Sequence, residues 1–331
     1  MRLLEDRAQE LRERHAIAFR ITGIASRRLG WIADPNGIPR SEAISPAGAI
    51  PETRNSKHET DVRSWLADAR ADVLFEATAL NVENGQPAVD HIRAALEHGA
   101  HAITANKGPV VHAYPELRDL AAARGKRFLF ESTVMDGVPI FSLFDQLPAI
   151  RLNGFHGILN STTNVILSEM ENGLSFYAAL KKAQEIGVAE ADATHDIDGW
   201  DAAAKTAALI TVLMLSSPHD LPVRLDQIDR QGIRGLSAEA VRAAKQEGKP
   251  YKLVCRARRV SSSGNSAFLA SVRPEQIPLT DPMAHVTGTS SIVSFDTDIF
   301  PGLVITEENP GLYATAYGML ADFVRAVTAS S

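Results

Sequence analysis

Apolar positions along the chain follow two rhythms. Leu3, Leu4, Ala8 and Leu11 recur at helical spacing and predict an amphipathic helix over residues 3–14. "IAFRITGIAS" follows, rich in β-branched residues, and predicts a strand closed by "RRLG". A helix is predicted over residues 60–71 and a short buried strand at "ADVLFEAT". "GQPAVDHIRAALEHG" sets Pro near a helix start and Gly99 at its end. "AHAITAN" reads as a strand, "AYPELRDLAAARG" as a helix closed by Gly125, and "KRFLFEST" as a strand. Strands alternating with helices argue for a parallel sheet with crossover helices, a doubly wound α/β domain over residues 1–145.

Near residue 150 the pattern changes. "IRLNGFHGIL" reads as a strand, and "STTNVILSEMENG" as a helix with Ser/Thr at its cap. "SFYAALKKAQEIG" is a helix ended by Gly187. After the acidic stretch "EADATHDIDGWDAAAK" comes a long helix from about Asp201. "PYKLVCRARRV", "SAFLASVRP", "SIVSFDTD" and "GLVITEE" are closely spaced strands, which suggests a mixed or antiparallel sheet in a second domain over 146–310. The final segment, 311–329, is helical and is expected to return to the first domain.

Composition narrows the class. A net charge of -6 argues against a nucleic-acid binder. No run of about 18 apolar residues predicts a membrane span. The charged N-terminus does not read as a signal peptide, so a cytoplasmic protein is expected. Cys255 is the single cysteine, which excludes an internal disulfide framework and a Cys-rich zinc site. Its place in "YKLVCRARR" predicts a buried structural thiol.

Candidate chemistry gathers where ligands bind in open α/β sheets, at the carboxyl ends of strands. Lys107 lies just past "AITAN" and could meet a phosphate, a carboxylate or a reacting carbonyl, or be a solvated loop lysine. Glu131 ends an apolar strand; it needs a cationic partner if buried, or it caps the following turn. Asp201 and Lys205 are four residues apart, on one helix face. The small apolar residues around them mark a mostly buried helix, so Lys205 is a candidate proton shuttle rather than half of a surface ion pair. Glu190 and Asp201 could bind an amine or hydroxyl, and Asp192, Asp196 and Asp198 could order the loop or cap the helix. His195 reads as a loop histidine. Thr162 offers a hydroxyl to the same pocket or simply caps its helix.

These segments carry a resemblance. "TANKGPVV", "FESTVMDGVPIF", "GILNSTTNVILSEMENG" and "AEADATHDIDGWDAAAK", in this order, look like homoserine dehydrogenase, and the similarity covers nearly the whole chain. The short length resembles members without a C-terminal regulatory domain. The resemblance implies a Rossmann-like domain joined to a substrate and oligomerisation domain. It implies NAD(P)-dependent interconversion of L-homoserine and L-aspartate 4-semialdehyde, a step of threonine, methionine and isoleucine biosynthesis, by a homodimer. It places Lys205 as the proton relay, Asp201 and Glu190 as substrate ligands, and Lys107 near cofactor and substrate. It also implies a monovalent cation such as sodium at Glu131, Val134, Asp136 and Val138, held mostly by backbone carbonyls. Asp136 is larger and more acidic than the small residue usual there.

A G-x-G-x-x-G phosphate turn is missing from the chain, which begins inside what resembles the tail of the first helix. The first strand and its turn are therefore expected to lie outside the sequence. Two explanations compete: a start placed too late on a complete enzyme, or a shortened, non-catalytic homologue that binds ligands or forms oligomers. Another dehydrogenase of related architecture is a third reading. Arg27 and Arg28 follow the expected second strand with no adjacent acid, which favours NADP(H) over NAD. Thr78 and Gly311 complete the expected cofactor contacts.

Overall fold

A computed structural model describes residues 1–27, 29–39, 61–215, 223–262 and 265–328. The first predicted helix is split at Arg7 into α1 (Arg2–Asp6) and α2 (Ala8–His15). The predicted strand from Ile17 is laddered only over β1 (Gly23–Ser26), antiparallel to β2 (Gly30–Ala33). Ladder hydrogen bonds need a partner, and β2 reaches no farther than Gly23. Residues 17–22 instead border a large cavity.

α3 (Val62–Ala69) is capped by Asp61, which accepts from the Ser64 N–H at 2.9 Å. Trp65 on α3 donates its indole N–H to the Ile32 carbonyl at 2.7 Å, fastening the helix to the hairpin. Gly23 is required beneath that ring, since a Cβ there would stand 2.7 Å from it. The alternation read from the sequence then appears as β3 (Val73–Glu76), α4 (Ala88–His98), β4 (His101–Thr104), α5 (Lys107–Ala123) and β5 (Phe128–Leu129). The strands form a parallel sheet in the order β3-β4-β5, and all four residues of β4 are buried. Two-sided burial explains why these segments read as continuous apolar runs.

After α6 (Phe141–Asp145) the second half begins with β6 (Leu152–Ile158), α7 (Ser161–Glu171), α8 (Phe176–Glu185), α9 (Thr194–Ile197) and α10 (Trp200–Leu209). It continues with β7 (Asp229–Arg230), α11 (Ala238–Gln246), β8 (Tyr251–Ser262), β9 (Asn265–Gln276), β10 (Ser291–Thr297) and β11 (Leu303–Glu307). Six strands pair in the order β11-β10-β6-β8-β9-β7. Only β7 and β9 are parallel, so the sheet is mixed. α10 packs on β8 and β9. Its Ala202, Ala203, Ala204, Ala207 and Ala208 are fully buried, small enough to let helix and sheet approach closely. Cys255 on β8 lies beneath them with Sγ 3.8 Å from the Ala202 carbonyl; burial pushes its thiol up to about 11.

α12 (Leu312–Thr328) returns to the first half. Phe323 meets Phe75 of β3 at 5.7 Å between ring centroids, and Asp322 accepts the Glu131 N–H at 2.8 Å. No helix among the described residues is long and apolar enough to cross a membrane.

Candidate active site

Three helix starts converge at the carboxyl ends of the strands. α5 begins at Lys107 because Asn106 caps it, accepting from the Gly108 N–H at 2.8 Å. The Asn106 amide also donates to the Thr78 carbonyl at 2.9 Å, tying two strand ends together. Gly108 is needed here, since a Cβ would lie 2.8 Å from Gly85 Cα. The cap of α7 is Asn160 rather than the Ser/Thr read from the sequence; its Oδ1 accepts from the Thr163 N–H at 2.8 Å. α10 starts after Gly199, whose φ of 80° suits glycine.

Asp201 is the hub. One carboxylate oxygen lies 3.2 Å from Lys107 Nζ and the other 3.3 Å from Lys205 Nζ. The Lys205 ammonium also donates to the Leu159 carbonyl. Asn160 divides its amide between Asp201 at 3.0 Å and Asp196 at 2.6 Å. Burial alone would raise the Asp201 pKa, but Lys107 and Lys205 outweigh it and hold the carboxyl well below the usual range. For Lys205, burial pulls the pKa down while Asp201, Asp136 and Asp196 pull it up, and the carboxylates win. Asp196 goes the other way, raised by burial and by Asp201. Two acids sharing one amide are thus shifted in opposite directions.

Around this hub the expected residues separate. Thr162 is buried, its hydroxyl 3.3 Å from the Val188 carbonyl. Glu190 is exposed at the start of the acidic loop, where its backbone carbonyl accepts from Gln184. Glu307, at the end of β11, joins the field of Lys205. Burial pushes its carboxyl up to about 7, Asp136 adds to the rise and Lys205 opposes it. One Glu307 oxygen is buried without a hydrogen-bond partner. Asn160 and Glu307 were not singled out in the sequence. Asn160 had a signal, an N-cap residue type directly before a helix.

The cofactor-side residues lie elsewhere, along a cavity of about 2160 Å³ between residues 15–27, β3 and α12. Arg27 and Thr78 both line it; Arg28 lies outside the described residues. Thr78 is held by Glu76, which accepts from its N–H at 2.8 Å and from its hydroxyl, and from the Thr104 hydroxyl at 2.8 Å. Lys107, Asp201 and Lys205 do not line this cavity, so space and chemistry sit side by side. Ser26 and Arg27 line it at the end of β1. Val62 and Trp65 of α3 and Pro87 and His91 at the start of α4 also line it. Gly311 is exposed just before α12, and its carbonyl accepts from the Ala314 N–H.

The residues expected at a cation site share one turn. Glu131 Oε1 accepts from the Ile140 and Phe141 N–H groups at 2.7 Å each, and Oε2 from Ser142 at 2.9 Å. Arg325 adds a guanidinium nitrogen 3.5 Å from Oε2. Both sequence alternatives for Glu131 are realised: it is buried beside a cationic partner, Arg325, and its carboxylate caps the following turn. Val138 gives its carbonyl to Ile140 at 2.9 Å, and Val134 is buried in the core. Asp136, at a left-handed φ of 44°, binds the Thr315 hydroxyl at 2.6 Å.

Comparison with known proteins gives this arrangement its context. Residues 1–131 match the family model "Homoserine dehydrogenase, NAD binding domain", and residues 139–324 match "Homoserine dehydrogenase". The NAD(+)-dependent homoserine dehydrogenase of Pseudomonas canavaninivorans is 31% identical, over 97% of this chain and 90% of its own. A solved homoserine dehydrogenase from Thiobacillus denitrificans superposes with a TM-score of 0.79 at 30% identity, over 99% of this chain and 69% of its own. A hyperthermophilic archaeal homoserine dehydrogenase in complex with NADPH shares the fold, with a TM-score of 0.74 at 23% identity over 98% of this chain and 94% of its own. Asp201 and its two lysines therefore stand in a known kind of enzyme, and the chain belongs to the homoserine dehydrogenase family.

Proposed function

We propose that this NAD(P)-dependent oxidoreductase interconverts L-homoserine and L-aspartate 4-semialdehyde with Lys205 as the proton relay and Asp201 and Glu190 as substrate ligands. The observation that carries the residue assignment is the double ion pair of Asp201 with Lys107 and Lys205. In the resting arrangement Asp201 keeps Lys205 charged. A substrate ammonium that pairs with Asp201 cancels part of that field and lowers the Lys205 pKa, readying it to take the hydroxyl proton. Lys107, on the other oxygen of Asp201, is placed to meet the substrate's carboxylate or carbonyl oxygen. Thr162 and Asn160 hold the acidic loop in register. The nicotinamide cofactor, when bound, supplies the hydride acceptor.

NADP(H) is the cofactor this reading favours, because Arg27 follows β1 with no adjacent acid. The relatives supply precedent for both choices, one NAD(+)-dependent and one bound to NADPH. A homodimer formed through the open face of the six-stranded sheet completes the proposal. Leu269 and Val304 lie exposed on that face, at 53% and 48% of their full area.

The test is homoserine oxidation followed at the nicotinamide absorbance with NADP⁺ and with NAD⁺, for the parent and for Lys205→Ala. The expected result is turnover in the parent with a lower KM for NADP⁺, and none in the variant. A Lys205→Ala protein with near-parental kcat removes the relay assignment, and equal KM values for the two cofactors remove the NADP preference.

A further inference from the structure

We propose that Lys252, which lies outside the hub around Asp201, is a positioning residue for the substrate side: it fastens residues 286–289 against α7 and so fixes the helix start from which Asn160 serves Asp201. The inference rests on the proposed reaction, in which Asp201 binds substrate. Lys252 belongs to β8 and is 1% exposed. A buried ammonium is costly unless it is paired, yet its partners are neutral. Its Nζ donates to the Val286 carbonyl at 2.7 Å and lies 3.5 Å from Asn164 Oδ1. Glu171, the acid in its field, is paired with Lys245 at 3.3 Å. Burial therefore pulls the Lys252 pKa down, with Glu171 opposing and Lys245 adding to the fall. A methionine would fill much the same space without that desolvation, so what the amine contributes is its hydrogen bonds.

Those bonds lead to the start of α7. Val286 closes the short 3₁₀ turn Pro282–His285, and an amine at the carbonyl end of a helical turn is favourably placed. Met283 and Val286 pack with Ile158, Val254 and Ile292 in one buried cluster, which seats the turn on the sheet. Two further bonds cross to α7. Asn164, buried on that helix, turns its Oδ1 to Lys252 and donates its amide to the Gly288 carbonyl at 3.0 Å. Ser161, the first residue of α7, donates to the Thr289 carbonyl at 2.9 Å. Asn160 precedes it directly. Its side chain caps Thr163 and gives its amide to Asp201 and Asp196. A shift of residues 286–289 is therefore passed through Asn164 and Ser161 to the amide that holds Asp201.

The experiment uses the whole protein and compares the parent with Lys252→Met, which keeps the length of the side chain and removes its donors. Amide hydrogen exchange at Thr163, whose N–H Asn160 caps, should be about fivefold faster in the variant. The kcat/KM for homoserine should fall about tenfold. Ser161→Ala breaks a later bond of the same chain and should move both readings in the same direction. The double variant should then lose less than the product of the two single losses. Unchanged exchange at Thr163 overturns the proposal, and so do single losses that simply multiply. A lysine that served local packing alone would lower Tm and give one of those two results. Should Lys252→Met fail to fold, Ser161→Ala decides, and exchange at Thr163 that stays at the parental rate overturns the proposal. A parent without homoserine turnover removes the proposed reaction instead, and the exchange reading, which needs no turnover, still decides whether Lys252 is coupled to the start of α7.

Discussion

The substrate side and the cofactor side of this molecule are built to different standards of closure. Around Asp201, two lysines, two further polar residues and a helix of buried alanines tie the charged groups to one another. Along β3 the same chain leaves a cavity of about 2160 Å³, and among the described residues β3 pairs with β4 alone. Under the proposed roles, preorganisation serves proton transfer and substrate recognition, where a misplacement of 1 Å can cost about 10²-fold.

Breaking the closed side should have the largest effect. Lys205→Ala is expected to lower kcat for homoserine oxidation on the order of 10³-fold with Tm unchanged, checked by steady-state kinetics beside a melting curve. Asp201→Asn keeps the shape and removes the charge that binds both lysines. It should reduce kcat/KM on the order of 10²-fold, and the parent's rise of kcat/KM with pH should begin at lower pH, because the Lys205 pKa loses its main support. A pH–rate profile with an unmoved limb would refute that electrostatic account.

The open side should respond more gently. Arg27→Ala is expected to raise KM for NADP⁺ about tenfold and leave KM for NAD⁺ alone, a loss of about 1.4 kcal/mol. Equal changes for both cofactors would place Arg27 away from the 2′-phosphate. The smallest effect lies where the sides meet. The folded-state pKa of Glu307 is raised to about 7 from an ordinary value of 4.5. Its stabilising contribution is therefore complete below about pH 4.5 and is lost as pH rises through 7. Glu307→Gln should raise Tm at pH 8 relative to the parent and change it little at pH 4; equal shifts at both would remove the titration as the cause.

Features that depend on local spacing were legible in the sequence. The pairing of Asp201 with Lys205 follows from one helical turn, and the position of Lys107 follows from the end of a buried strand. The mixed second sheet was readable because β8 to β11 follow one another without an α-helix between them. Partners distant in sequence were not legible. Asn160 reaches Asp201 across 41 residues, and Arg325 reaches Asp145 across 180. No periodicity encodes either contact. The strand from Ile17 failed for a related reason: its apolar pattern describes a preference, while its hydrogen bonds require a neighbour.

With the cofactor bound in the cleft along β3 as proposed, thermal stability becomes a gauge of nucleotide supply. Any ligand that fills it in the native state adds RT ln(1 + [L]/Kd) to the unfolding free energy, about 2.7 kcal/mol at a hundredfold excess over Kd. Tm should then climb with the logarithm of cofactor concentration, while homoserine alone, arriving at a hub already pinned, should move it less. In a cell, the lifetime of the protein would follow the size of its nicotinamide pool, linking its abundance to redox supply.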